Sequence, residues 1–218
     1  MREAPFGALL PGLHLILLEN FLMKQIPISN SPLLDPAFCT LVLISPEGLE
    51  QTLVDPKTHA TCKRAIELLL RASEVAEVPV FLLAHDPKQT AYPSAALRSV
   101  PSELRFGLLR HRSPWAQRPF VEALAARDRS ILILAGLWLE HEILAVALNA
   151  LVDGYDVYVL LDGCAHRSRL ASVAARERLT QAGGTLITTA QIIGEWACET
   201  ADAAARDALT ALARSWWT

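Results

Sequence analysis

The sequence predicts one doubly wound α/β domain, a three-layer α/β/α sandwich around a mostly parallel sheet of six strands. Three observations predict it. Short, continuous apolar runs alternate with longer segments at helical spacing, the pattern of strands covered on both faces. The 218 residues suit one large core and would cramp a second full domain. The apolar fraction of 52% excludes a disordered chain.

The first strand is expected over Phe38–Ser45, an apolar run broken by Pro46. A helix follows from about Pro56, with Asp55 as N-cap and proline at the first helical position, and with Ala65, Ile66, Leu69 and Leu70 on one face. Val78–Ala84 is the second strand, and a proline-containing loop then runs to about Leu104. Phe106–Leu109 is a weaker third strand, and Phe120–Ala126 is the centre of a helix. Ser130–Ala135 is the clearest strand and Gly136 ends it; a helix covers Leu139–Val152. After Gly154 comes a fifth strand, Asp156–Leu161, and then a helix from Ser168 to Ala182 closed by Gly183 and Gly184. Leu186–Thr188 is the sixth strand, and helices near Ala190–Cys198 and Asp202–Trp216 close the chain. Right-handed crossovers stack these units into the sandwich. No internal repeat or low-complexity segment interrupts them.

Residues 31–218 form this domain, and residues 1–30 are an extension. Its leucine-rich part, Phe6 to Met23, is broken by Pro11, His14 and Glu19, too short and interrupted for a membrane span and without a signal-peptide cleavage site. Either it is an apolar helix docked on the domain or on a neighbouring subunit, or translation starts at Met23.

With 20 basic and 23 acidic residues the net charge is −3, so nothing draws the chain to nucleic acid or to an anionic membrane. The locally basic stretch from Arg98 to Arg129 is expected to be a solvated face or a salt-bridged loop. Cys39, Cys62, Cys164 and Cys198 show neither C-x-x-C nor metal-ligand spacing, which fits a reducing cytoplasm and small buried hydrophobes. The mean hydropathy of +0.28 and the terminal Trp216-Trp217 pair point to a homo-oligomer, or to assembly with a paralogous subunit.

In such a sheet, ligands sit outside the carboxyl ends of the strands where the strand order reverses. The informative residues therefore follow Ile44, Leu83, Leu109, Ala135 and Leu161. There is no G-x-G-x-x-G and no Walker A sequence, so no nucleotide cradle and no cofactor is expected. His85, His111, His141 and His166 fall near strand ends, but without H-x-H or H-E-x-x-H spacing they predict no metal site.

Four stretches carry a family resemblance: HRSPWAQRPFVEAL from His111, SILILAGLWLEHEILAVALNAL from Ser130, VDGYDVYVLLDGCAHRS to Ser168, and QAGGTLITTAQIIGEW to Trp196. Residues 38–200 resemble the isochorismatase-like cysteine hydrolases, which include nicotinamidases and carbamoyl-amide hydrolases. The resemblance implies an Asp at the end of the first strand, a Lys after the third and a nucleophilic Cys at the start of the helix after the fourth. The helix N-terminus and the Lys lower the thiol pKa while the Asp handles the proton. At those positions this sequence has Ser45, Arg110 or Arg112, and Glu142. Glu142 is then either a first-turn acid favouring the helix dipole or a new general acid or base. Cys164, after the fifth strand, is the reserve nucleophile. The expected function is a catalytically silent binding or assembly module, with room for a small-molecule ligand. The alternatives are a divergent hydrolase of a small amide or ester using Glu142, a His or Cys164, and a structural subunit beside an active paralogue.

Overall fold

A computed structural model of the chain describes residues 31–45, 56–86, 95–108 and 113–217. Six strands, β1 (Cys39–Ile44), β2 (Val80–Ala84), β3 (Arg105–Gly107), β4 (Ile131–Gly136), β5 (Asp156–Cys164) and β6 (Thr185–Ile187), form one sheet in the order β3-β2-β1-β4-β5-β6. Every pairing is parallel, where the sequence predicted only a mostly parallel sheet. The continuous apolar runs are explained by burial on both faces: all residues of β1 and of β4 are buried.

Seven α-helices lie among the described residues: α1 (Pro56–Val75), α2 (Ala95–Ser99), α3 (Arg118–Ala125), α4 (Leu144–Val152), α5 (Arg169–Gln181), α6 (Thr189–Glu199) and α7 (Ala203–Ser215). α1, α6 and α7 pack together in one layer, while α4 packs beside α5 in the other. Local caps fix the helix starts. Ser168 accepts from Ala171 N, Asp202 from Ala205 N, and Gln191 from Thr188 N.

Several boundaries differ from the sequence expectation. The stretch expected to be loop up to Leu104 contains α2 and a 3-10 turn at Ser102–Leu104, which bury Leu97, Val100 and Leu104. A five-residue helix is too short to reveal its period. β5 runs past Leu161 to Cys164, because a bulge between Leu134 and Gly136 brings Cys164 opposite Gly136. The helix after β4 opens not as α-helix but as a wider π-helical turn, Leu139–Ile143, with Ile143 N donating to Trp138 O at 3.2 Å. The N-cap expected at Asp55 lies outside the described residues, as does the extension 1–30.

In the basic stretch, Arg98, Arg118 and Arg127 are exposed, as expected of a solvated face, while Arg105 and Arg129 are half-buried and bonded to backbone carbonyls; Arg110 and Arg112 lie outside the described residues. Arg129 is half-buried and donates to Pro36 O at 2.7 Å and to Cys39 O at 2.8 Å. Arg105 donates to Val100 O, Arg127 lies over the Phe81 ring, and Arg118 pairs with Glu122 at 3.3 Å. Trp216 is half-buried beneath Arg64, so of the terminal pair only Trp217 projects into solvent. Cys198 is exposed, unlike the other three cysteines.

Candidate functional site at the carboxyl edge of the sheet

β1 is the switch strand: the chain winds away from it through β2 and β3 on one side and β4 to β6 on the other. Ile44 pairs with Gly136, so β1 and β4 end level at the switch point, the place where doubly wound sheets receive ligands. Ser45 takes the first position beyond β1. It is buried, has φ 47°, and donates its N–H to Leu83 O at 2.7 Å.

Gly136 ends β4 at φ +121°, and a Cβ there would lie 1.9 Å from Ile44 O. Only glycine permits this approach. Leu137 N then donates to Ile44 O at 2.8 Å, and the Leu137–Trp138 peptide is cis. The half-buried Glu142 side chain folds back so that Oε2 accepts from Trp138 N at 3.3 Å. Ser45 and Glu142 therefore stand at the same edge, on the two exits of the switch point. Arg110 and Arg112 lie outside the described residues.

The exits of β4 and β5 are stitched together. Ala165 N donates to Gly136 O, Leu139 N to Ala165 O, and Arg167 N to Glu140 Oε1 at 2.8 Å. The Arg167 guanidinium lies 4.8 Å above the Trp138 ring. Sequence reasoning missed this Trp138–Glu140–Arg167 link, which joins residues almost thirty positions apart with no periodic signal. It also left Asp162 without a role. That carboxylate accepts from Thr189 N and from Thr189 Oγ1 at 2.9 Å, capping the start of α6. Burial raises its pKa, partly offset by those hydrogen bonds.

Cys164 is the last residue of β5 rather than a residue beyond it. Its thiol is buried, donates toward Leu134 O at 3.8 Å, and is pushed well above the ordinary thiol range by desolvation. A protonated, inaccessible thiol lacks the properties of a nucleophile. Cys39, at the amino end of β1, is pushed up to about 12 by burial. His85 and His141 are exposed, and His111 lies outside the described residues. His166 is half-buried, and its Nδ1, like Glu140 Oε2, is buried without a hydrogen-bond partner among the described residues. No group of three or more His, Cys, Asp or Glu suited to a metal ion occurs among them. No described helix is long and apolar enough to cross a membrane.

The sheet order defines a doubly wound α/β protein whose strand order reverses between β1 and β4. The isochorismatase domain model matches residues 49–191, and the chain belongs to that family. The chain is 35% identical over 74 residues to the probable hydrolase YcaC of Escherichia coli, over 34% of this chain and 36% of that one. It is 26% identical over 125 residues to isochorismatase domain-containing protein 2 of Xenopus laevis, over 57% of this chain and 60% of that one. The matched stretches thus span less than two thirds of either relative. Among solved structures, the E. coli YcaC protein, described as an octameric hydrolase of unknown specificity, superposes with a TM-score of 0.69 at 21% identity, covering 87% of this chain and 97% of that one. The MAR1 ribonuclease of Caenorhabditis elegans gives 0.66 at 18% identity, covering 82% and 91%. At these identities the superpositions establish the fold.

Proposed function

We propose that this chain keeps the isochorismatase fold without the family's thiol chemistry, and serves as a binding or assembly module. The supporting observation is Glu142, whose carboxylate accepts from Trp138 N at 3.3 Å. It thereby occupies a backbone donor at a helix start, the kind of group that an anionic ligand or a developing oxyanion would use. On the register of the family resemblance this is the nucleophile's position, and a carboxylate is a far weaker nucleophile toward an amide than a thiolate. Ser45 at the acid's position does not ionise, and an Arg at the lysine's position does not shuttle protons. Cys164 offers no replacement, because burial keeps its thiol protonated. The octamer described for E. coli YcaC supports a homo-oligomer here.

The test is hydrolysis of nicotinamide and N-carbamoyl compounds by the purified chain, with and without iodoacetamide. No turnover is expected. Turnover that iodoacetamide abolishes would overturn the proposal. A second reading, a divergent hydrolase of a small amide or ester, draws on the unpartnered Glu140 Oε2 and His166 Nδ1, since buried unsatisfied atoms mark a place for water or ligand. That reading requires turnover that survives iodoacetamide and disappears in His166→Ala.

A further inference from the structure

Three buried polar atoms without a hydrogen-bond partner among the described residues gather around the exit of β5: Glu140 Oε2, His166 Nδ1 and Arg176 Nε. They arrive from three elements. Glu140 belongs to the π-helical turn, and its Oε1 accepts from Arg167 N at 2.8 Å, which sets the carboxyl group beside the residue that follows His166. Leu139 N donates to Ala165 O, so the turn and the chain leaving β5 lie side by side. Arg176 is on α5, which packs against the turn. Helical side chains lean toward the helix N-terminus, and for Arg176 that is the carboxyl edge of the sheet. There its charge acts on the Cys164 thiol, two residues before His166. The other buried atoms of this kind, on His59, Ser130 and Trp196, are single atoms on α1, just before β4 and on α6.

An arginine Nε–H only donates, an ionised carboxylate only accepts, and a neutral imidazole nitrogen does either. Buried groups of this kind are costly to leave unmet, so three in one place mark a site for an occupant. That occupant must accept at Arg176 and donate at Glu140. The charges of these two side chains cancel, which suits a ligand of no net charge: a simple anion would face Glu140, and a simple cation would face Arg176. The other charged groups nearby are engaged or turned outward, Glu142 on Trp138 N, Arg167 over the Trp138 ring, and Arg169 exposed. We propose that this site binds a small zwitterion whose carboxylate and ammonium groups share one carbon, as in an α-amino acid. The carboxylate takes the Nε edge of Arg176, where the guanidinium presents parallel donors. The ammonium donates to Glu140 Oε2 and to His166 Nδ1. The proposal rests on the binding reading above and names a ligand class and a place for it, one strand away from the β1–β4 switch point.

Saturation-transfer NMR and calorimetry of the full chain test it, with glycine and L-alanine as probes and with acetate and methylamine as their two halves. The zwitterions are expected to bind, and either half alone to bind at least roughly tenfold more weakly. Arg176→Met and Glu140→Gln should each weaken zwitterion binding by roughly 10- to 100-fold, the range of a hydrogen bond to a charged group. Glu140→Gln keeps an acceptor for Arg167 N and so keeps the turn. Arg176→Met should leave the melting temperature of the ligand-free protein unchanged or higher, because Nε has no partner within the chain to lose. Failure of both probes to bind, the result if water alone fills the site, overturns the proposal. Binding that survives both variants, or that acetate alone matches, overturns it too. Thiol-dependent turnover by a protein that binds glycine would remove the proposed function and leave this site standing, whereas an inactive protein that binds neither probe would do the reverse.

Discussion

In the variant Glu142→Cys, a thiol replaces the carboxylate that accepts from Trp138 N at 3.3 Å. The helix terminus favours the thiolate by about 0.3–1 kcal/mol. A hydrogen bond from the freed N–H to a charged sulfur adds about 1–2 kcal/mol. Together these lower the thiol by roughly one to two units from its ordinary value near 8.5. At pH 7 the ionised fraction then rises from about 3% to somewhere between about 24% and 76%. Nucleophilicity falls as the pKa falls, with a Brønsted slope near 0.4–0.5, and removes most of that gain. The net expectation is alkylation roughly threefold faster than an unperturbed thiol at pH 7, with the half-maximal pH lower by roughly one to two units. The assay is iodoacetamide labelling followed by peptide mass spectrometry across a pH series, with the exposed Cys198 as internal reference. Cys39, near 12, and the buried Cys164 should stay unlabelled in the native protein. The pH midpoint is the deciding quantity, because the rate gain at one pH is small. A midpoint matching that of Cys198 would refute the placement of position 142 at a thiolate-stabilising helix start. Adding Ser45→Asp should yield at most feeble hydrolysis, because Trp138 and Leu139 shape the turn without reference to a substrate.

Asp162 and Gly136 give two further tests. The folded-state pKa of Asp162 is raised by burial, so its contribution to stability is fully present below the unfolded value and is lost as pH rises through the folded one. Asp162→Asn is therefore expected to match or exceed the wild type in urea midpoint at pH 7 and to lose ground to it as pH falls toward 3.8. Asp162→Ala strands Thr189 N and Oγ1 and should cost about 1–3 kcal/mol at either pH. A less stable Asn variant at pH 7 would contradict the assigned direction. Gly136→Ala forces a Cβ to within 1.9 Å of Ile44 O at φ +121° and should cost about 3 kcal/mol or more in denaturant melts. A near-neutral result there would mean that the β1 and β4 exits are not held as described.

The fold was legible because β1 and β4 are buried on both faces and so write continuous apolar runs into the sequence. Punctuation helped as well: Pro56 starts α1, Gly136 ends β4, and Gly183 and Gly184 follow α5. What escaped was non-local or too short. The bulge that extends β5 to Cys164 depends on the partner strand, and α2 spans barely one turn. The exposure of Leu170 and Val173 escaped too, because α5 has apolar residues on two sides and composition does not say which side the sheet covers. At the site, sequence placed Ser45 and Glu142 on the same edge but was silent on which backbone group Glu142 engages. That engagement is a side-chain rotamer choice over four residues, made within a π-helical turn that the apolar period did not announce.

The landmarks that carried the family resemblance are those the backbone needs, whatever chemistry follows. Gly136 is required by the 1.9 Å approach to Ile44 O, and Gly154 by a φ of 88° between α4 and β5. Asp162 is kept by the start of α6, which would otherwise leave Thr189 N–H buried and unpaired. None of the three needs a reacting thiol beside it. Position 142 is under a different constraint: any side chain there must leave Trp138 N to water or a ligand, or satisfy it. Glu142 satisfies it with a carboxylate from within the chain, and a cysteine thiolate at that position would take the same N–H as a weaker acceptor. On the proposed reading, the exchange keeps that donor paired and removes the nucleophile in one step. A scaffold can, on that reading, hold its strand order and turn geometry while the change that removes thiol chemistry is confined to the residue facing Trp138 N–H.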